Sequence, residues 1–167
     1  MWLELPPFWI VVLNALGIPA IHLGISWAFT KLPRASFDPS SWLFRERSWE
    51  RGGRIYQDRF RIRRWKGYLP DAAPWFDGFA KGQLTDKGAD HLRVFLAETC
   101  RGDAAHHAQI LCLLVTLLWN PWPVSASVMI VYAFASNLPC IFLQRYTRAR
   151  LQRTLATRGP RRKGSGA

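Results

Sequence analysis

The sequence predicts an all-α integral membrane protein, with about three transmembrane helices and amphipathic interfacial helices in its middle segment. Three observations carry this prediction: three apolar runs, basic residues confined to two blocks beside those runs, and aromatic residues interleaved with arginines between them. A length of 167 residues suits one domain. We expect that domain to cover residues 1–157, followed by a disordered basic tail over residues 158–167.

The net charge of +12 indicates a negatively charged partner. Because the basic residues flank apolar runs, the pattern favours anionic membrane lipid as that partner. No recognisable nucleic-acid-binding motif accompanies the charge, so we expect no nucleic-acid partner.

The first apolar run, residues 8–30, reads "FWIVVLNALGIPAIHLGISWAFT" and is long enough to cross a bilayer, which takes roughly 20 residues. No lysine or arginine precedes Lys31, so the run lacks the basic start of a cleaved signal peptide. It therefore predicts a retained helix. Pro19 is expected to kink this helix, and His22 lies within it.

The second and third apolar runs cover residues 104–119 and 124–143. The second is short for a span, at roughly 24 Å of helix. "NPWP", residues 120–123, separates the two runs, and its prolines favour a turn over continued helix. Two spans joined by so short a turn predict a helical hairpin.

The distribution of basic residues predicts the orientation. All lysines and arginines lie between Lys31 and Arg101 or in the segment that follows the third run. The positive-inside rule therefore places residues 31–103 and the C-terminus in the cytoplasm, and the N-terminus outside. The prediction is a multi-pass protein of the cell membrane.

The middle segment, residues 31–103, is expected to lie at the membrane interface. Its stretch "SWLFRERSWERGGRIYQDRFRIRRWKGYLPD" mixes aromatic side chains with arginines, which suits a helix in the headgroup layer with rings towards the lipid and cations outwards. The same mixture is found on single-stranded nucleic-acid platforms, but the adjacent apolar runs favour the membrane.

Four sequence blocks occur in order between Ser48 and Leu151: W-E-x-x-G-x-x-Y, R-x-W-K-x-x-L-P-D, E-T-x-R-x-[DE]-x-x-H and N-x-P-x-x-x-x-Q-R-Y-x-R-x-R-L. Together they resemble the glycosyl-4,4'-diaponeurosporenoate acyltransferase family of small bacterial membrane proteins. The resemblance implies transfer of a fatty acyl group from a thioester donor, such as acyl-CoA, to a sugar hydroxyl of a glycosylated carotenoid acid. It implies a glycolipid acceptor and an acyl donor as partners, a bacterial cell membrane as location, and no bound cofactor.

The third block suggests a catalytic arrangement. At about 100° per residue, Glu98, Asp103 and His106 fall within an arc of roughly 140° on one helix, with Asp103 close enough to pair with His106. His106 is the preferred general base, oriented by Asp103 as in a catalytic triad. His107 points about 100° away and lies outside the block, although the choice between the two histidines stays open. An ordinary polar collar of helix ion pairs is the alternative.

Metal chemistry is not expected, because adjacent histidines do not share one helix face. Substrate-binding residues are predicted where the hairpin returns the third run to the side of His106, and in the basic collar beside it. This set comprises Arg101, Asn137, Gln144, Arg145, Tyr146, Arg63, Trp65 and Lys66. Their proposed ligands are the donor phosphates or the acyl carbonyl. Lipid anchoring is the alternative for the collar.

Two other functions compete with acyl transfer. A non-catalytic basic membrane protein could bind anionic lipid or scaffold neighbouring enzymes. A lipid methyltransferase would also place its site near cytoplasmic helix ends, but the sequence contains no glycine-rich nucleotide-binding loop.

Reporter fusions test the topology. Fusions at Gly78 and at the C-terminus are both expected to report a cytoplasmic position, because each lies beside a basic block. A C-terminal reporter found outside the cell would contradict the three-span arrangement.

Overall fold

A computed structural model describes residues 3–69 and 88–157, and every regular element in those ranges is helical. The predicted tail and much of the connector before residue 88 lie outside the described residues. The helices are α1 (Pro7–Lys31), α2 (Arg54–Asp58), α3 (Ile62–Trp65), α4 (Ala89–Leu114) and α5 (Pro123–Thr157). Short 3₁₀ turns cover Arg34–Ser36, Ser48–Glu50, Lys66–Tyr68 and Val115–Trp119.

Helix α1 is bounded by prolines at both ends. Pro7 occupies its first turn, where the missing N–H costs nothing. Pro33 restricts Leu32 to an extended conformation, with ψ of 143°, and this ends the helix. None of its residues is buried, and the helix is long and apolar enough to cross a membrane. The predicted helix over residues 8–30 is confirmed.

Helices α4 and α5 form the predicted antiparallel hairpin, but the boundary of the second run differs from the prediction. Residues 104–119 are not a separate helix: they continue α4 from Ala89 and finish as the 3₁₀ turn. The chain then breaks at Asn120, before two prolines, and α5 starts at Pro123. Among the described helices only α1 and α5 are long and apolar enough to cross a membrane.

Helix α4 lies between α1 and α5. At one end of the bundle the Asn120 side chain donates to Asn14 of α1, over 3.1 Å. At the other end Arg34, just after α1, lies 3.1 Å from Glu98 of α4. α1 and α4 are therefore antiparallel, and α1 runs parallel to α5.

The described part of the middle segment is built from short helices. Amphipathic interfacial helices were predicted here, and the structure has α2 and α3 joined by turns; their place at a membrane interface stays a prediction. Arg51, Gly52, Gly53 and Arg61 have positive φ, and these left-handed residues limit the length of the helices. Several aromatic side chains also point inwards: Phe44 and Tyr56 are buried against the bundle.

Gly53 allows α2 to approach α5 closely. Its φ is +76°, and a Cβ at this position would lie 2.8 Å from the Cβ of Ala149. We expect Gly53→Ala to lower the free energy of unfolding by about 1–3 kcal/mol, through backbone strain and displacement of α2. Thermal unfolding in detergent measures the change.

Gly17→Ala is the matched control for this prediction. A Cβ there meets nothing within 4 Å, and alanine is the better helix former. Its unfolding temperature should stay the same or rise slightly. Equal unfolding temperatures for the Gly53 variant and the wild type would contradict the proposed role of Gly53.

Candidate active site

Asp103 lies at the centre of a buried charged layer between α4 and α5. Its side chain is fully buried, and Arg148 of α5 donates to Oδ2 over 2.6 Å. Arg145 Nε lies 3.3 Å from the same oxygen. Nδ1 of His107 lies 3.1 Å from Oδ1 and 2.8 Å from the backbone oxygen of Asp103, which takes the hydrogen bond. The carboxylate therefore joins the two helices of the hairpin.

This surrounding keeps Asp103 ionised. Burial raises the pKa of the carboxyl group, but His107, Arg148 and Arg145 more than offset it and hold the pKa below its usual range. For Arg145 the effect of burial has the opposite sign and lowers the pKa, but the nearby carboxylates keep this pKa above its ordinary value. The layer is thus a set of fixed charges.

Glu50 connects this layer to the middle segment. Its carboxylate is 3% exposed, lies 3.3 Å from Arg145 Nη1, and accepts a hydrogen bond from the Tyr56 hydroxyl. Burial, followed by the neighbouring Glu50, raises the pKa of Tyr56, so the phenol keeps its proton. Glu50 and Tyr56 were not predicted as site residues. Their signal was the W-E-x-x-G-x-x-Y block, which contains both.

Glu98 belongs to a separate ion-pair cluster. It lies 3.1 Å from Arg34 Nε and 3.0 Å from Arg101 Nη1. Arg101 also donates to the carbonyl oxygen of Leu32 over 3.1 Å. These contacts join the end of α1 to α4. The proposed substrate contact of Arg101 therefore competes with an internal one.

His106 has different neighbours from those predicted. The expected pairing of Asp103 with His106 is wrong, because Asp103 faces His107 and the arginines of α5. Instead, Nδ1 of His106 lies 2.9 Å from Oε1 of Gln109 and 2.9 Å from Oδ1 of Asn137. The predicted juxtaposition of His106 with Asn137 is present.

The amide network sets the tautomer of His106. The Gln109 NH₂ group donates to the His22 carbonyl and to Ser26, and the Asn137 NH₂ group donates to the Ala133 carbonyl. Each amide therefore turns its oxygen towards Nδ1. Nδ1 must carry the proton, so the lone pair of the neutral ring lies on Nε2. A histidine held in this way can accept a proton through Nε2.

The remaining predicted residues lie on two sides of α5, either on the helix itself or in the middle segment packed against it. Gln144 and Arg145 lie on the side of Asn137, whereas Tyr146 is nine residues from Asn137 and so points about 180° away. Tyr146 accepts a hydrogen bond from Arg63 Nε over 2.9 Å. Trp65 packs against the buried cluster that contains Tyr146, and Lys66, the next residue, is exposed. Arg63, Trp65, Lys66 and Tyr146 therefore form a group separate from His106.

Comparison with known proteins identifies the family. A sequence model of the family described as glycosyl-4,4'-diaponeurosporenoate acyltransferase matches residues 39–157. The chain belongs to this family. Membership confirms the resemblance of the four sequence blocks and makes the chain an acyltransferase.

Individual relatives carry the same description. A protein so named from Staphylococcus haemolyticus (strain JCSC1435) is 26% identical over 133 residues, covering 79% of this chain and 77% of the relative. One from Staphylococcus aureus (strain MRSA252) is 28% identical over 146 residues, covering 84% of this chain and 87% of the relative. No solved structure matches the chain.

Asp103→Asn tests the charged layer. The substitution leaves the guanidinium of Arg148, which is 3% exposed, without its charge partner. Breaking a buried ion pair costs about 3–5 kcal/mol, so we expect a lower unfolding temperature and less folded protein in the membrane.

Asp90→Asn is the control, because Asp90 pairs with Arg93 on the surface, where its side chain is 95% exposed. Its stability should match the wild type. If Asp103→Asn were as stable as this control, the charged layer would not hold α4 against α5.

Proposed function

We propose that the chain crosses a bacterial cell membrane and transfers a fatty acyl group from a thioester donor to a sugar hydroxyl of a glycosylated lipid. The name of the relatives favours a glycosyl diaponeurosporenoate, a carotenoid acid ester, as that lipid. The apolar helices α1 and α5 support the membrane location. The basic blocks support a cytoplasmic C-terminus, an outer N-terminus and contact with anionic lipid.

Three spans remain our proposal, with the apolar end of α4 as the second. The contact of Asn14 with Asn120 supports it, because it brings the α4–α5 turn beside the N-terminal half of α1. If α1 crosses the bilayer, the apolar end of α4 lies at the same depth in it as the N-terminal half of α1.

The observation that carries the catalytic proposal is the fixed orientation of His106. Two amide oxygens hold Nδ1 at 2.9 Å each, which directs the basic nitrogen Nε2 away from them. His106 is the general base. His107 is occupied by the backbone and carboxylate of Asp103 and serves the charged layer.

The position of His106 suits a lipid substrate. Its partner Asn137 lies six residues before Leu143, the end of the apolar part of α5, and so about 9 Å below that level along the helix axis. An acyl chain can stay among the lipid tails while the reacting carbonyl reaches this depth. Gln144, on the same side of α5, is the first polar residue after Leu143.

The chemical steps follow from this arrangement. Nε2 of His106 takes the proton from the sugar hydroxyl as its oxygen bonds to the thioester carbonyl carbon. Collapse of the tetrahedral intermediate breaks the carbon–sulfur bond. The thiolate leaves with the proton that the imidazolium returns, so proton and charge balance. Arg145 and Arg101 act here as positioning residues, because both are tied to internal carboxylates.

His106→Ala tests the base. Loss of a general base costs about 10²–10⁴-fold in rate, and we expect a fall of this size in acyl transfer from labelled acyl-CoA to the purified glycolipid. Membrane abundance should stay near that of the wild type, since the substitution leaves the apolar contacts of α4 in place.

His107→Ala is the matched control, a neighbouring histidine on the same helix. It removes one of three partners of Asp103, so transfer should fall by less than about tenfold. If the His107 variant lost transfer while the His106 variant kept it, the base would be His107. Full activity of both variants would contradict catalysis by a histidine at this site.

A further inference from the structure

A basic groove lies between α2 and the C-terminal part of α5, apart from His106. Its volume is about 410 Å³, within the range of roughly 300–1,000 Å³ that small-molecule sites occupy. The lining side chains are polar or charged. They are Arg54, Gln57, Asp58, Arg63, Tyr146, Arg150, Arg153, Thr154 and Thr157.

The α5 side of the groove is one face of a helix. Arg150, Arg153, Thr154 and Thr157 follow Tyr146 by four, seven, eight and eleven residues, which is the spacing of neighbours on a single helical stripe. The guanidinium of Arg150 lies over the Tyr146 ring, 5.6 Å from its centroid. The stripe points about 180° away from Asn137, so the groove does not hold the reacting atoms.

The arginines of the groove outnumber its single acidic residue, Asp58. None of the four forms an ion pair with a carboxylate in residues 3–69 or 88–157, although Asp58 also lines the groove. Arg145 and Arg148, a few residues earlier on α5, are both paired. Four guanidinium groups around one Asp leave a net positive site. Such convergence is unfavourable until an anion binds, and guanidinium groups bind phosphate with two parallel hydrogen bonds.

The length of the groove favours a water-soluble anion over a lipid headgroup. Along the helix axis Tyr146 lies about 4.5 Å and Thr157 about 21 Å beyond Leu143, where the apolar part of α5 ends. A headgroup layer is only about 5–8 Å thick on each side of a bilayer. If α5 crosses the membrane, Arg153 and the residues after it extend past that layer into water.

We propose that this groove binds an organic polyphosphate of the size of a nucleotide diphosphate. The identity of the physiological ligand rests on the proposed function: the phosphorylated carrier of an acyl thioester belongs to this chemical class. The groove then holds the phosphates of the carrier among its four arginines.

The test measures binding, not activity. The full chain in phosphatidylcholine nanodiscs is titrated with free coenzyme A and, separately, with inorganic pyrophosphate, using calorimetry. We expect Arg150→Gln/Arg153→Gln to weaken binding of both probes by about tenfold or more, because each removed charge takes away a charge-assisted contact. Both side chains are exposed, and neither forms an ion pair with a described carboxylate, so thermal unfolding should stay near the wild-type temperature.

Arg59→Gln/Arg64→Gln is the matched control. These two exposed arginines lie in the α2–α3 segment, which forms the other side of the groove, but they do not line it. The control variant loses as much positive charge as the groove variant. Its affinity should stay within about twofold of the wild type. Equal weakening in both double variants would indicate general attraction and overturn the proposal, as would wild-type affinity in the groove variant or no binding of either probe.

Two further arms separate the possible outcomes. In nanodiscs containing phosphatidylglycerol, capture of that lipid by the groove with no binding of coenzyme A would assign the groove to headgroups and overturn the proposal. His106→Ala should bind coenzyme A with wild-type affinity. If the His106 variant bound coenzyme A and still transferred acyl groups, the groove proposal would stand and the assignment of His106 as the base would be wrong.

Discussion

The arrangement of the molecule depends on the buried carboxylate of Asp103. A fully buried charge is costly unless it is paired, and Asp103 is contacted by Arg145 and Arg148 of α5 and by His107 of its own helix. These contacts allow little freedom in how α4 and α5 face each other. Through Arg145 the same constraint reaches Glu50, and so fixes the middle segment against the hairpin.

The charged layer also determines the position of the amide network around His106. With Asp103 held against α5, the next turn of α4 places His106 beside Asn137, and Gln109 reaches Ser26 of α1. All three long helices therefore contribute to the orientation of one imidazole. A neutral network of this kind suits the apolar part of a bundle, because its donors and acceptors satisfy one another without a net charge.

The sequence predicted the helices better than the contacts of the site. Proline positions and apolar runs were enough for α1 and the hairpin. The partner of Asp103 was mispredicted because helix spacing allows both His106, three residues on, and His107, four residues on. Arg148 also competes from α5, 45 residues away, which rotation angles on one helix cannot show. The predicted helices of the middle segment are short, and composition did not reveal the left-handed residues around Gly52 and Gly53 that limit them. The W-E-x-x-G-x-x-Y block did contain the missing signal for Glu50.

The charges of the molecule divide into two classes with different consequences. Arg34, Arg101, Arg145 and Arg148 each lie against a carboxylate, so withdrawing any of them to bind a substrate would take an ion pair away from a buried acid. Arg101, Arg145 and Arg148 lie in the family blocks, and these ion pairs give them a role in folding. In our proposal they affect catalysis through the position of His106. The four groove arginines form no ion pair within the described residues, so a ligand can meet them without separating internal charges. In our proposal, ligand charge is recognised at one face of α5, while the opposite face keeps the histidine in place.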